Sequence, residues 1–319
     1  MDKKNLLQLA LYRSYSQKTA YPGYWNKENP YIGQCAVTAM VVNDFLGGDI
    51  AKIKLPNLST SHYFNIIDSK VVDLTSKQFS WEYKLDYSNS IVKRREDIRG
   101  SNIENRYKIL KKKVDSFLNS FSKLQKNIQE CKKCSFVEHL KGPIIKIGKN
   151  TDILFVGEAP APDGWRKSQK AFYNPDGKLL PTGKNLQKLL NVLDISLENI
   201  TYTEVIKCKP NSRKDLEKAA DNCKSYMLKQ LDLLKPKIIF PLGSSASTLL
   251  LENLGYENLI FKEIKGKTFE TNNFLILPLQ HPSPANPYGL SFNIPILKKF
   301  VESRKYKDKI NYKVYLDIK

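Results

Sequence analysis

The chain has 319 residues, of which 41% are hydrophobic and 26% charged, a composition that allows a buried core and excludes wholesale disorder. No segment approaches the ~20 apolar residues of a membrane span, and the N-terminus has no signal-peptide pattern, so we expect a cytoplasmic protein without a membrane partner. Lysine and arginine total 52 against 32 acidic residues, a net charge of +20, which is typical of nucleic-acid binding but also of a surface simply rich in lysine.

Residues 1–83 predict a small α+β domain. The segment 35–46 has the pattern of a helix that a glycine pair ends. The segments 61–68 and 70–75 alternate apolar and polar side chains, as two strands do on either side of a turn.

This first domain also contains a candidate second site. Cys35 stands at the predicted helix start, where backbone N–H groups and the helix dipole lower the pKa of a thiol. His62 and Asp73 follow on the two predicted strands, and the order Cys, His, Asp also occurs in papain-like and transglutaminase-like hydrolases, as nucleophile, base and orienting acid. Gln34 is a candidate oxyanion donor. The alternative interpretation is a buried cysteine, a strand histidine and a turn acid without catalytic roles.

Residues 84–125 predict a basic helical linker. The stretch 84–130 holds twelve lysine and arginine residues against six acids. Apolar side chains recur from Ile103 to Ile128 at three- and four-residue steps, the spacing of an amphipathic helix whose outer face is basic.

Residues 126–319 predict an α/β domain. Apolar runs at 152–157, 200–206, 237–242 and 273–279 alternate with helical patterns at 183–193, 215–234 and 244–254. This alternation predicts a parallel sheet with helices on both faces, in which ligands bind at the carboxyl ends of the strands. The residues at those ends are Gly157, Glu158, Ala159, Glu204, Gly243 and His281.

Four of the five cysteines form a candidate metal centre. Cys131 and Cys134 make a C-x-x-C motif, and Cys208 and Cys223 complete a four-sulfur set. In a chain without an export signal, such a set favours a cofactor over disulfide bonds. The spacing alone fits either zinc or an iron–sulfur cluster.

Six motifs in one order carry a family resemblance. They are CKKC, GEAPA, TYTEVIKCKP, NC, LKPKIIFPLG and QHPSP, within residues 126–300. This region resembles the uracil-DNA glycosylase superfamily, closest to its iron–sulfur family 4. The resemblance implies a three-layer sandwich around a four-stranded parallel sheet, DNA as the partner, and a largely structural [4Fe–4S] cluster on the four cysteines, with zinc as the alternative occupant. In the first domain, GQCAVTA, SHYFN and VVDLTSKQF resemble the YunG-type proteins.

The resemblance implies roles in base excision for the residues at the strand ends. His281, in the HPS motif, is the candidate catalytic residue that donates a hydrogen bond to the departing base, and Glu158 is the candidate that positions water or stabilises the cationic sugar. The candidate base-binding residues are Glu204, Gly157, Ala159, Phe172 and Tyr173. The candidate DNA-binding residues are Pro282 and Ser283 at a phosphate, and Leu290 or Tyr288 as a wedge in the duplex. Neither of the two catalytic loops shows an obvious Schiff-base lysine, which favours a monofunctional glycosylase.

The sequence departs from the family at the base-reading position, where Glu204 replaces an asparagine. A carboxylate only accepts hydrogen bonds, so it suits an exocyclic amine such as cytosine N4 better than uracil O4. We therefore expect a DNA glycosylase for a modified or non-uracil pyrimidine. The alternatives are a uracil-DNA glycosylase of base-excision repair, a non-catalytic binder of modified DNA, and a thiol hydrolase that its second domain targets to DNA. The oligomeric state stays open.

Overall fold

A computed structural model describes residues 2–55, 60–80, 82–98, 100–161 and 164–310. These residues divide into a first unit, 3–120, and a second unit, 121–310. None of the helices in the described part of the chain is long and apolar enough to cross a bilayer.

The first unit combines helices with an antiparallel sheet. Its elements are α1 (Lys3–Ser14), α2 (Cys35–Leu46), β1 (Asp49–Lys54), β2 (Ser61–Ile67), β3 (Lys70–Val72), β4 (Ile91–Lys93), the 3-10 helices Ser76–Gln78 and Arg95–Asp97, and the first part of α3 (Ile103–Gln129). The strand order is β3-β2-β1-β4, and α2 packs on β2. The predicted helix 35–46 and the predicted strand pair are confirmed. Asp68 and Ser69 both adopt positive φ, 49° and 60°, the geometry of a tight hairpin turn.

The predicted linker at 84–125 differs from the structure. Strand β4 pairs with β1 and therefore belongs to the sheet of the first unit. Tyr107, Leu110 and Val114 of α3 are buried in the core of the same unit. The basic composition suggested a linker, but most of the charged side chains of α3 lie on its exposed face. The apolar face of α3 covers the core of the first unit. The division between the units falls after Ser120 and not after residue 83.

The second unit is built on a mostly parallel sheet. Its elements are the end of α3, β5 (Val137–Glu138), β6 (Asn150–Gly157), α4 (Trp165–Ser168), α5 (Pro181–Leu190), β7 (Ile200–Glu204), β8 (Lys209–Pro210), α6 (Leu216–Leu234), β9 (Ile238–Pro241), α7 (Ser244–Asn253), α8 (Phe261–Ile264), β10 (Phe269–Glu270), β11 (Leu275–Ile276), α9 (Gly289–Glu302) and α10 (Arg304–Ile310), with 3-10 helices at Asn191–Leu193, Leu197–Asn199 and Arg213–Asp215. Within the described residues the strand order is β10-β11-β9-β6-β7.

The four predicted strands are β6, β7, β9 and β11, and they run parallel. The α/β fold and its three-layer arrangement are confirmed. Phe155 and Phe240 project from neighbouring strands into a core that α5 and α9 close, because successive strand residues point to opposite faces. The structure adds the antiparallel edge strand β10 and the separate β5–β8 pair. Each of these three strands has two residues, which are too few to produce a periodic pattern.

Candidate active site and cysteine cluster

The carboxyl ends of the parallel strands bring several predicted site residues to one edge of the second unit. Gly157 of β6 pairs in register with Glu204 of β7, and Gly243, directly after β9, contacts His281. Both glycines lie where a side chain cannot fit. A Cβ atom on Gly157 would lie 2.2 Å from the Tyr202 hydroxyl, and Gly243 has a φ of 99° with its added Cβ 3.0 Å from that of His281.

His281 lies on an exposed loop that two asparagines hold. The Asn293 amide, which is buried, donates to the Gln280 carbonyl (2.8 Å) and accepts from the Gln280 backbone N–H (2.9 Å). Asn286 donates to the Gln280 side chain (2.9 Å) and to the His281 carbonyl (3.3 Å). Desolvation by the surrounding protein lowers the pKa of His281, and the Glu158 carboxylate opposes that shift. The imidazole is therefore neutral at neutral pH and within the electrostatic reach of Glu158.

Glu158 follows β6 and is only partly exposed. Its carboxylate accepts a hydrogen bond of 2.7 Å from Arg213, and its backbone carbonyl accepts one of 2.9 Å from the Ile206 N–H. Arg213 is well exposed, so solvent weakens this ion pair. Arg213 was not predicted, because nothing in the sequence distinguishes it from the many other basic residues. The neighbouring Ala159 lies half-buried in the same loop.

Glu204 lies inside a buried polar network rather than at an open surface. Its side chain is 2% exposed and that of Arg166 is 0% exposed. The carboxylate accepts from the Trp165 indole N–H at 2.6 Å and from Nη2 of Arg166 at 2.7 Å, and the Tyr202 hydroxyl lies 3.4 Å away. Arg166 also donates to the Pro143 carbonyl.

This network corrects the expected role of Glu204. Burial is the largest influence and leaves the pKa of the carboxyl above its usual value, although the Arg166 guanidinium and the Trp165 N–H oppose that rise. Because both oxygens accept from N–H donors, the arrangement requires the ionised carboxylate. We therefore assign Glu204 to holding Trp165 and Arg166 in place, and not to direct contact with a base edge. The role of Arg166 was not predicted, because nothing in the sequence distinguishes this residue from the other cations.

The aromatic candidates occupy two different places. The Phe172 ring meets Tyr202 edge to face, with centroids 4.9 Å apart, and Tyr202 meets Trp165 in the same way at 5.5 Å. Phe172 thus belongs to the group beside Gly157. The Tyr173 hydroxyl instead donates to Glu198 (2.9 Å), and Lys170 lies over the Tyr173 ring. Tyr173 is therefore outside the group at the strand ends.

The loop after His281 presents one strongly exposed aromatic side chain. Tyr288 is 75% exposed and directly precedes α9. Leu290 packs against the hydrophobic core of the unit, so it is not free to enter a duplex. Pro282 is buried and Ser283 is half-buried beside the same loop.

The four predicted cysteine ligands line one cavity of the second unit. The cavity walls include Cys131, Cys134, Cys208 and Cys223 together with His139, Asn222 and Tyr226. Three polar contacts reach the sulfurs: Asn222 donates to Cys134 (3.2 Å), the Lys207 backbone N–H donates to Cys223 (3.4 Å), and His139 Nδ1 lies 3.3 Å from Cys208. Among the described residues, no three histidine, cysteine or acidic side chains converge closely enough to hold a single metal ion.

The electrostatics of this cavity fit a positively charged occupant. Burial, followed by the repulsion of the neighbouring cysteines, raises the pKa of Cys208 to about 12. Burial also raises the pKa of Cys223, and the Lys207 N–H opposes it. Thiolates this close together ionise jointly only with a cationic centre between them, so the donor set suits a thiolate-bound metal group.

The first unit brings its three candidate residues together. Nε2 of His62 lies 2.6 Å from Oδ2 of Asp73, and both side chains are buried. Cys35, the first residue of α2, hydrogen-bonds the same imidazole. Gln34 does not face this group, because its amide donates to the Ser16 carbonyl at 3.2 Å.

Comparisons with known proteins match both units. A family model described as "Uracil DNA glycosylase superfamily" matches residues 145–311, and one described as "YunG protein" matches residues 3–119. The chain is 28% identical to the type-4 uracil-DNA glycosylase of Saccharolobus solfataricus over 194 residues, which cover 58% of this chain and 84% of the relative. It is 27% identical to the type-4 enzyme of Sulfurisphaera tokodaii over 174 residues (53% and 76%). It is 35% identical to the uncharacterized protein YunG of Bacillus subtilis over 98 residues (31% and 81%).

Proposed function

Since the chain belongs to the uracil-DNA glycosylase superfamily through its second unit and to the YunG family through its first, we propose that it is a DNA glycosylase that hydrolyses the N-glycosidic bond of a flipped-out base. The observation that carries the proposal is the convergence of Gly157, Glu158 and His281 at one edge of the sheet. In sheets of this kind that edge is where ligands bind.

The two catalytic candidates supply complementary electrostatics. Bond cleavage leaves negative charge on the base and positive charge on the sugar. A neutral His281 donates a hydrogen bond to the base oxygen as charge develops there. The Glu158 carboxylate stabilises the cationic sugar and orients the water that attacks it, so water rather than a lysine is the nucleophile. The weak pairing with exposed Arg213 leaves Glu158 able to turn toward the substrate.

The remaining candidates bind the extruded nucleotide and the DNA. The backbone of Gly157 and Ala159 borders the base, and Phe172 stacks on it. Pro282 and Ser283 contact a phosphate. Tyr288 is the better wedge of the two earlier candidates because it is largely exposed, whereas Leu290 is partly buried against the core. The net charge of +20 supplies long-range attraction to DNA.

The substrate we propose is a modified or non-uracil pyrimidine, with uracil as the alternative. An asparagine amide both donates and accepts, and so reads the uracil edge. At this position Glu204 contributes an ionised carboxylate that is committed to Trp165 and Arg166. The test is mass spectrometry of bases released from matched duplexes containing uracil, hypoxanthine, xanthine or substituted cytosines. Release of a substituted cytosine with little uracil supports the proposal, and a clean preference for uracil contradicts it.

We expect His281 to titrate below the usual histidine pKa of ~6.5. Desolvation by the neighbouring protein atoms disfavours the imidazolium, and the Glu158 carboxylate only partly opposes this, so the protonated form is lost at lower pH than in a free histidine. Base excision should consequently rise with pH through that lowered pKa and stay level through neutrality. Proton NMR can follow the ring directly because the chain has three histidines, and a His281→Gln variant assigns the signal. A midpoint at or above the usual value would contradict the assignment.

We propose that Cys131, Cys134, Cys208 and Cys223 hold a [4Fe–4S] cluster, with zinc as the alternative. The four cysteines surround a shared cavity, and two of them, Cys134 and Cys223, accept N–H hydrogen bonds. This arrangement suits a multi-atom group with one thiolate for each iron. Bound there, the cluster supplies a structural crosslink between the segment after α3, the segment after β7 and α6. It takes no part in the proposed hydrolysis.

Elemental analysis of protein purified without oxygen tests this ligand set. We expect iron and acid-labile sulfide in equal amounts, strong loss of both in Cys208→Ser, and a lower Tm for that variant. Cys35→Ser is the matched control and should keep the full iron content, because Cys35 lies in the other unit. One zinc atom for each chain with no sulfide would overturn the cluster assignment.

A further inference from the structure

The first unit contains a catalytic arrangement that base excision does not use. We propose that Cys35, His62 and Asp73 form a second active site, in which a thiol nucleophile attacks carbonyl substrates of the amide or ester class that carry a negative charge. The proposal rests on the first unit alone and is independent of the glycosylase.

Asp73 is fixed in place so that it orients the histidine. One carboxylate oxygen, Oδ1, accepts from the Thr75 backbone N–H (2.9 Å) and hydroxyl (3.1 Å). The other, Oδ2, accepts from the Tyr87 hydroxyl (2.8 Å) and lies 2.6 Å from Nε2 of His62. A buried carboxylate with this many donors stays ionised, and its charge keeps the ring proton on Nε2.

A buried glutamine fixes the other side of the ring. The Gln78 amide nitrogen lies 3.1 Å from Nδ1 of His62 and donates to the Thr75 carbonyl at 3.2 Å. Gln78 therefore contacts the Nδ1 side of the ring, and we expect it to act as a positioning residue. The sequence offered no signal for it, since the contact joins the 3-10 helix Ser76–Gln78 to β2.

Cys35 has the surroundings of a reactive thiolate. Burial alone would raise its pKa, but hydrogen bonds from the His62 ring and the Tyr63 backbone N–H outweigh burial, so the pKa of the thiol lies below its usual value. Burial likewise disfavours the charged imidazole, yet Asp73 and Cys35 raise the pKa of His62 to about 10. Cys35 is also the first residue of α2, so its thiolate lies at the positive end of the helix dipole.

A cleft in the same unit supplies room and charge for a substrate. It has a volume of about 710 Å³ and is lined by Tyr21, Trp25, Lys18 and Arg106 among others. Tyr21, which lines the cleft, is connected to the segment that precedes Cys35, because the Tyr21 N–H donates to the Gly33 carbonyl at 2.8 Å. Burial lowers the pKa of Arg106 and the Cys35 charge opposes that shift, which places this cation within electrostatic reach of the sulfur.

The charge of the cleft defines the substrate class. The lining residues include two cations, Lys18 and Arg106, and none of those identified carries a carboxylate. An acyl group with its own negative charge is therefore favoured over a neutral one of the same size. The aromatic rings of Tyr21 and Trp25 add apolar surface for the rest of the acyl chain.

The chemistry balances with water as the only co-reactant. The Cys35 proton passes to the imidazole, the thiolate forms a C–S bond to the carbonyl carbon, and the π electron pair moves to the oxygen. Collapse of this intermediate breaks the C–N or C–O bond, and the imidazolium protonates the leaving group. Water then loses a proton to the imidazole and attacks the thioester, which breaks the C–S bond and releases a carboxylic acid and the free thiol.

The first test measures alkylation of the full-length protein by iodoacetamide, with peptide mapping to separate Cys35 from the cysteines of the second unit. We expect Cys35 to react at pH 6 at least ~10-fold faster than glutathione, whose thiol is almost wholly protonated there. The fast rate should persist up to about pH 10, where His62 loses its proton. Asp73→Asn should reduce the rate at pH 6, while circular dichroism checks that the variant folds. If the alkylation rate of Cys35 depended on pH as that of glutathione does, or if Cys35 did not react, the proposal would be overturned. This outcome needs only the unmodified protein.

The second test asks for turnover and for charge selectivity. Two probes, p-nitrophenyl hexanoate and mono-p-nitrophenyl adipate, differ only by a terminal carboxylate. We expect an acyl adduct on Cys35 with both probes, faster turnover of the adipate, and no adduct in Cys35→Ser. Replacing Arg106 by Gln should reduce the preference for adipate about 10-fold, the effect of one lost charge-assisted hydrogen bond, and Arg106→Lys should restore part of it. Absence of a Cys35 adduct, or equal rates for the two probes, would contradict the proposed nucleophile or substrate class respectively.

Discussion

Replacing His281 by Ala should lower the single-turnover rate of base excision about 100–1000-fold, the effect of removing one preorganised donor to a developing oxyanion. The affinity for substrate DNA should change little, because the imidazole acts on charge that forms in the transition state. The measurement pairs single-turnover excision with fluorescence anisotropy on a duplex that contains the preferred base.

A second substitution separates donation from simple space filling. His281→Gln keeps an N–H donor near the same position and should retain more activity than His281→Ala. If both variants excise within threefold of the unmodified protein, His281 is not the donor. If the unmodified protein binds modified DNA but releases no base from any duplex, the protein is a binder that kept the fold, and the catalytic proposal fails as a whole.

Replacing Glu204 by Gln should destabilise the second unit by about 3–5 kcal/mol, because it leaves the Arg166 charge buried without its partner. The amide would also turn an N–H toward either Trp165 or Arg166, both of which are donors. Thermal and urea unfolding, followed by tryptophan fluorescence and circular dichroism, measure the loss.

An exposed ion pair in the same unit provides the matched control. Glu270 accepts from Lys305 at 2.8 Å, and both side chains are more than half exposed. Glu270→Gln should therefore leave the free energy of unfolding almost unchanged, because solvent screens an exposed ion pair. A double variant, Glu204→Gln with Arg166→Met, should recover part of the stability because it removes the orphaned charge. Equal effects of the Glu204 and Glu270 substitutions would show that the buried network is not the stabilising feature inferred here.

Local sequence patterns predicted those helices and strands that are long enough to show a periodic or apolar pattern. The strands β6, β7 and β9 and the helices α2, α6 and α7 lie within a few residues of their predicted positions. Each is either a periodic amphipathic segment or a short apolar run between turn residues, and those properties depend only on neighbours in sequence. The strands β5, β8 and β10 and the sheet membership of β4 were missed because they depend on pairing with another strand.

The candidate site residues also fall into two groups, those that sequence motifs predict and those whose roles depend on distant parts of the chain. Motif order placed Cys131, Cys134, Cys208 and Cys223 in one set, and the structure brings them to one cavity. The carboxylate of Glu204 was expected to face a base, but its environment depends on Trp165 and Arg166, nearly forty residues earlier in the chain. Gln78, Asn286 and Asn293 were missed for the same reason, since an amide has no pattern until its partners are known.

The amino-acid sequence alone was enough to predict the types of the two units, the parallel direction of the main strands and the residue types available for acid–base and thiolate chemistry. These follow from side-chain periodicity and from motifs that occupy a few consecutive positions. Which titratable groups are paired and which can act on a substrate follows from the three-dimensional structure. The Glu204 carboxylate is paired with Arg166 inside the protein, the His281 imidazole is neutral at an accessible edge, and Cys35 hydrogen-bonds His62. The physical reason is that pKa, hydrogen bonding and exposure depend on atoms within a few ångströms, and folding brings those atoms together from distant parts of the chain.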